Sequence, residues 1–286
     1  MSSIEKAITL WFATNKRDLP WRNSTPWGVL VSEFMLQQTP VVRVLPKWNE
    51  WMQRWPTPQG MANASTAEII TAWGRLGYPR RALRLHECAK IISTEYEGRV
   101  PESELVLKTL PGVGDYTAAA IAAFAFGART LVLDINIRRL FARVIDGVEM
   151  PKPSLSNQER IARAELIPEC NAHLWAAATM ELGALVCTSR NPRCDQCPLI
   201  SICKWKAAGY PTSDQPRKTQ AWHGTDRQCR GVIVQALREN ASLSTKEIHK
   251  LWNEESQVEK ALSTLMKDGL ISLSSGSHYS LPQNSQ

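Results

Sequence analysis

The chain has 286 residues, 43% hydrophobic and 21% charged, enough for one large or two modest domains with a real core. That composition excludes a disordered or collagen-like protein. An excess of 34 Lys+Arg over 27 Asp+Glu gives a net charge of +7, which suits a polyanionic partner without establishing one.

The N-terminus lacks a charged head followed by an apolar run and a small-residue cleavage site. The longest apolar stretch, Thr117 to Ile135, is broken by Gly127, Arg129 and Asp134, so it reads as two buried elements and not a membrane span. A cytoplasmic protein is expected. The first 200 residues read as helix after helix. Trp48, Trp51, Met52 and Trp55 fall at helical spacing, as do Ile69, Ile70, Trp73 and Leu76, then Leu83, Leu85, Ala89 and Ile92. A tryptophan stripe at this spacing is core packing before it is a ligand box.

Residues 209–224 are polar, carry two prolines and read as a linker. Beyond it, Thr225 and Asp226 cap a helix running to about Glu239. Ser244 to Glu247 form a capping-box pattern, and a third helix covers about Gln257 to Asp268. Gly269–Leu273 and His278–Leu281 then read as a hairpin. The expected organisation is an all-α domain over 1–208, including a cysteine loop at 187–203, and a small winged-helix-like α+β domain over 225–286.

Four segments carry chemistry. Leu110–Gly114 (LPGVG) puts two glycines one residue apart before a helix, where the backbone turns tightly and free N–H groups meet an anion. A plain helix–helix turn explains the same pattern. Asp134 follows an apolar run and precedes a helix. It suits an N-cap and equally a carboxylate facing developing positive charge. Glu33 lies in an apolar helical segment, where an acid is costly unless paired or protonated, and the amides of Gln37 and Gln38 at its end suit base edges. The fourth segment holds Cys187, Cys194, Cys197 and Cys203, four of the seven cysteines. They read as a metal centre and not as disulfides, and their spacing admits both zinc and an iron–sulfur cluster. From Cys187 to Arg230, eight Lys/Arg stand against three Asp, so much of the excess charge is local to that loop and the linker.

Taken together and in order, RDLPWR (17–22), SEFMLQQT (32–39), GRLGY (74–78), the glycine turn, LDIN (133–136), MELGA (180–184) and the four cysteines resemble the helix–hairpin–helix DNA glycosylases of the endonuclease III superfamily. The likeness is greatest to their adenine DNA glycosylase (MutY-type) branch and covers about three quarters of the chain. It implies a 4Fe-4S cluster on Cys187, Cys194, Cys197 and Cys203, and a monomer acting on double-stranded DNA that carries an adenine mismatch, with no membrane role. Relatives that also cut the DNA backbone carry a lysine nucleophile where this chain has Tyr116, so hydrolysis without strand cleavage is expected.

By the same resemblance Gly112, Val113 and Gly114 bind DNA, Gln37 and Tyr78 wedge into the gap left by the extruded base, and Gln38 lies near the opposite base. Glu33 protonates adenine at N7, Asp134 stabilises the oxocarbenium-like sugar, and Tyr116 and Asn136 orient the two carboxylates. Arg17, Trp21, Arg22, Leu36 and Glu181 form the adenine pocket. Members of this branch typically end in a larger, Nudix-like domain that recognises 8-oxoguanine. The winged-helix-like segment replaces it here, with Lys246, His249 and Lys250 as its expected DNA face. Two other readings stay open: a thymine-mismatch or bifunctional glycosylase/lyase of the same superfamily, and a non-enzymatic DNA-binding iron–sulfur protein. Cys88, Cys170 and Cys229 have no assigned task.

Overall fold

The computed structural model describes residues 2–212, 222–274 and 277–283. The greater part of the expected linker, 213–221, and the tip of the hairpin lie outside these residues. The chain divides into two compact units, one of residues 1–30, 102–109 and 113–217, the other of 31–101, 110–112 and 218–286.

Among its described residues the regular elements of the first unit are helices. Its elements are α1 (Ser3–Asn15), the opening of α2 (Pro26–Leu36), α6 (Asp115–Phe126), α7 (Ile135–Phe141) and α8 (Ala172–Leu185), with α3 to α5 belonging to the second unit. Ser2 and Glu5 close a capping box at the start of α1. The alanine-rich α6 buries Thr117 through Ala123 without interruption, as expected of a helix covered on all sides. Ile8 and Phe12 of α1, Ala119 and Ala123 of α6, Leu140 and Phe141 of α7 and Trp175 and Leu182 of α8 share one core. The apolar run from Thr117 to Ile135 is broken at Gly127 as its sequence interruptions predict, but it holds one buried helix, α6, followed by a partly exposed extended segment that leads into α7 at Ile135, and not two buried elements.

The second unit holds the rest of α2, then α3 (Val41–Arg54), α4 (Thr66–Trp73) and α5 (Arg80–Glu95). The tryptophans pack as the periodicity predicts. Trp51 stands edge-on to both Trp55 and Trp73, with ring centroids 5.0 and 5.5 Å away, and donates its indole N–H to the Ala72 carbonyl.

The C-terminal segment of this unit contains α9 (Asp226–Glu239), α10 (Thr245–His249) and α11 (Glu255–Lys267). It also forms a three-stranded antiparallel sheet of β1 (Leu243–Ser244), β2 (Ser272–Ser274) and β3 (His278–Ser280), ordered β1-β3-β2. Tyr279 pairs with Leu243 on one side and Leu273 on the other. Thr225 caps α9, and Ser244 with Glu247 box α10, so the local signals are realised. The three helices close their core over Ile70 of α4, with Leu83 of α5 packed against it. Among the described residues no helix is long and apolar enough to cross a membrane.

Candidate active site and cluster loop

In the first unit, Asp134 caps α7, its Oδ1 accepting from the Ile137 backbone N–H at 2.7 Å. Its Oδ2 accepts from the Asn136 side-chain amide at 2.5 Å. Arg139 holds Asn136 in turn, donating to its Oδ1 at 2.9 Å, and also reaches the carbonyls of Gly183 at 2.6 Å and Cys187 at 2.7 Å. The packing here needs a glycine at 183, since a Cβ would come within 2.6 Å of the Asn136 carbonyl oxygen. Burial pushes the Asp134 carboxyl above its ordinary value, and the hydrogen bonds from Ile137 and Asn136 with the Arg139 charge offset only part of that rise. The expected N-cap is observed, and the capping carboxylate is half-buried. Tyr116 stands in the first turn of α6, half-buried against the same core.

Arg17, Arg22 and Glu181 are brought together in this unit. Glu181 is 2% exposed. It accepts from the Arg17 backbone N–H at 2.8 Å and from the Arg17 guanidinium at 3.0 and 2.7 Å, and pairs with Arg22 at 3.0 Å. Burial alone would raise its pKa, but the Arg17 hydrogen bonds and the two positive charges outweigh it and hold the carboxyl below the ordinary glutamate value. Arg22 also lies over the Phe12 ring at 5.1 Å. Trp21 is buried nearby in sequence, on a short helical turn of residues Pro20–Asn23.

The cysteine loop closes the unit. Cys187 is buried and Cys194, Cys197 and Cys203 half-buried, all as free thiols. Burial pushes Cys197 up to about 11, with a further rise from the charges of the other three cysteines. The decisive neighbour is Arg143, among the largest fully buried side chains, which the sequence did not single out. It donates to Cys187 Sγ at 3.4 Å, the Thr188 carbonyl at 2.7 Å and the Glu149 carbonyl at 2.9 Å, and lies over the Trp205 ring at 4.4 Å. Cys203 Sγ donates to the Arg143 carbonyl at 3.6 Å. Arg143 Nη2 is buried without a hydrogen-bond partner, and no carboxylate is ion-paired with this guanidinium among the described residues. A buried cation of this kind calls for negative charge, which thiolates on a metal centre provide. No three His, Cys, Asp or Glu side chains among the described residues gather tightly enough for a single ion. A four-iron cluster takes one thiolate at each iron and so spreads its ligands more widely. The four cysteines fit the cluster.

In the second unit Glu33 lies in α2 between Ser32 and Phe34 and is 5% exposed, so the acid is buried on its apolar helix as the sequence implies. Past the end of α2, Gln38 has φ 54°, and Tyr78 has φ 48°. Both occupy the left-handed region, disfavoured above all for a bulky side chain and recurrent at functional sites. The two are tied by Arg81, another residue the sequence reading missed. Its guanidinium donates to the carbonyls of Phe34 at 3.0 Å, Met35 at 3.2 Å, Gln37 and Gly77 at 3.0 Å, and to Thr39 Oγ1 at 2.9 Å. It thereby satisfies the orphan carbonyls at the C-terminus of α2 and anchors the Tyr78 loop to them. Burial lowers Arg81 to about 10, with Arg43 adding to the fall against the Tyr78 contribution. Gln37, Gln38, Tyr78, Arg81 and Gly112 line one cleft of about 360 Å³. Gly112, at φ 81°, is obligatory there, because a Cβ would meet Phe34 Cε1 and Arg84 Cβ within 3 Å. Leu36 is half-buried at the end of α2.

The expected DNA face on α10 is only partly free. Lys246 and Lys250 are exposed, but His249 contacts Glu259 at 2.7 Å and Glu255 at 3.6 Å.

Comparison with known proteins agrees with this construction. Residues 31–162 match the family described as HhH-GPD superfamily base excision DNA repair protein, and residues 187–203 match the iron–sulfur binding domain of endonuclease III. The adenine DNA glycosylase of Mycolicibacterium smegmatis is 46% identical over 285 residues, covering 98% of this chain and 97% of its own. That of Mycobacterium tuberculosis H37Rv is 47% identical, covering 96% and 92%. Among solved structures, a thermostable thymine-DNA glycosylase superposes with a TM-score of 0.66 at 25% identity, over 72% of this chain and 95% of that one. The chain belongs to the helix–hairpin–helix superfamily of base-excision DNA repair glycosylases. Within it, the family is that of the adenine DNA glycosylases, with the iron–sulfur motif that holds a 4Fe-4S cluster.

Proposed function

We propose that this adenine DNA glycosylase hydrolyses the glycosidic bond of adenine mispaired with 8-oxoguanine or guanine, as a monomer in the cytoplasm, and leaves the DNA strand intact. The observation that carries the reading is Asp134, a half-buried carboxylate held at the start of α7 by Asn136 and the Ile137 N–H. Such a group stabilises a developing cation more strongly than it would in water. Glu33 protonates N7 of the extruded adenine and then, ionised, activates water. Asp134 stabilises the oxocarbenium-like sugar electrostatically or through a transient bond, as paired carboxylates do in glycosidases. Tyr116 leaves no amine for a Schiff base at its position, which supports a monofunctional enzyme. Arg17, Trp21, Arg22, Leu36 and Glu181 form the adenine pocket, Glu181 by fixing the two arginines.

The turn at Gly112, Val113 and Gly114 receives a phosphate. Gly114 caps α6 without a side-chain hydrogen bond and has open space where a Cβ would project, which suits an anion at the helix N-terminus. Gln37 and Tyr78 fill the gap and Gln38 meets the opposite base. When bound, the cluster cross-links residues 187–203 through its thiolates and rigidifies that loop.

Single-turnover base release tests this, on duplexes carrying adenine opposite 8-oxoguanine, adenine opposite guanine, and thymine opposite guanine, each with and without alkali. Breaks only after alkali, on the adenine strand, are expected. Thymine release, nicking without alkali, or tight binding without release would each overturn it.

A further inference from the structure

Within the second unit the C-terminal helices and the Tyr78 loop enclose a groove of about 990 Å³. Among the described residues six arginines line it, Arg43, Arg75, Arg80, Arg227, Arg230 and Arg238, against one lining carboxylate, Glu239. Two of the six share one counter-charge, since Asp268 pairs with Arg230 at 2.5 Å and Arg80 at 3.5 Å. Arg43, Arg75 and Arg238 are gathered against their mutual repulsion. Arg43 donates to the Arg75 carbonyl, and Arg238 is lowered to about 10, first by burial and then by the Arg75 charge. Arg43, Arg75 and Arg238 have no carboxylate within ion-pair distance among the described residues. Arg227 lies 4.8 Å over the Tyr78 ring and 4.9 Å over that of Trp222, so α9 reaches the loop whose backbone is held at positive φ.

Like charges left together around a cavity are stabilised by an anion. Several guanidiniums spaced along a groove suit a polyanion better than a single small ion. Gln38 and Tyr78 line the same groove, which places it on the side of the base opposite the adenine. We propose that this groove is a phosphodiester site for the DNA strand opposite the adenine, with exposed Arg75 and Arg227 as its contact residues and Arg238 adding charge from the wall. The strand assignment rests on the proposed positions of Gln38 and Tyr78 in the DNA gap. The basic surface of the C-terminal segment then includes α9.

The test uses the full chain and the salt dependence of duplex binding. Each phosphate contact contributes about 0.9 to the slope of log affinity against log salt. R75A and R227A are each expected to reduce that slope by about 0.9 with melting unchanged, and R75K to retain it. Methylphosphonate linkages opposite the target adenine should weaken the wild-type protein, weaken R75A and R227A less, and leave the double variant R75A/R227A nearly unaffected. Unchanged slopes in both alanine variants, or sensitivity only to neutral linkages on the adenine strand, would overturn the proposal. Slopes are also read on an undamaged duplex. Failure of the wild type to release adenine would therefore count against the proposed reaction, while a changed slope would still support the groove.

Discussion

The side-chain amide of Asn136 donates to the Asp134 carboxylate across 2.5 Å, and Arg139 fixes that amide from the other side at 2.9 Å. Asp134 is therefore oriented by a neighbour two residues away, which is itself held by a guanidinium bonded to the carbonyl of Cys187. D134N keeps a good helix cap, because Asn caps as well as Asp, but removes the charge. Base release is expected to fall at least about 100-fold, with duplex binding retained. Single-turnover rates beside thermal melting check this, and near-normal turnover would remove Asp134 from the mechanism.

The raised pKa of Asp134 fixes two signs. In the proposed mechanism Asp134 acts as a carboxylate, so the rate is expected to fall as pH drops through the raised value. N136A removes a hydrogen bond that lowers this pKa, and the acid limb of the rate profile should move to higher pH. For stability the sign is opposite to that of a salt-bridged acid. The folded state binds this proton more tightly than the unfolded one, so ionisation costs stability as pH rises from the ordinary value through the raised one. D134N should thus melt no lower than wild type at neutral pH, and a marked fall would contradict the burial argument.

Glu181 behaves in the reverse manner. Its pKa is depressed, so its contribution is present above the ordinary glutamate value and is lost as pH falls through the lower, folded one. E181A leaves Arg17 and Arg22 without their counter-charge and should cost about 2–4 kcal/mol, toward the lower end for broken buried pairs because both arginines are partly exposed. Denaturant unfolding at neutral pH measures it.

Arg81 serves carbonyls at the end of α2 and in the Gly77 loop with one planar fork. R81K offers a point charge in place of that fork and cannot reach five acceptors, so R81A and R81K should be destabilised alike, by about 2–3 kcal/mol. Full rescue by lysine would show that charge alone matters.

Arg143 predicts the behaviour of the cluster loop. R143M removes the donor to Cys187 Sγ and the contacts to the Glu149 and Thr188 carbonyls. Purified R143M should hold less iron per chain than wild type and show a weaker brown visible band. Unchanged iron content would mean that the buried guanidinium plays no part in holding the cluster.

Features that depend on near neighbours along the chain were legible in the residues alone. Helical periodicity set the tryptophan core of α3 and α4. The caps at Thr225 and Ser244 set the starts of α9 and α10, and the cysteine spacing marked the metal loop. Asp134 and Glu33 were visible because a carboxylate in or beside an apolar run is costly. Which distant groups the long side chains reach is set by the folded packing. Arg81 meets carbonyls more than forty positions away, as does Arg143 with Thr188, and α9 brings Arg227 onto Tyr78. Nothing in the local pattern around an arginine encodes this, because a guanidinium on a flexible stem takes its partners from whatever backbone folding places beside it. The groove is the clearest case: its arginines are scattered from residue 43 to residue 238, and only packing of the C-terminal helices over Ile70 gathers them.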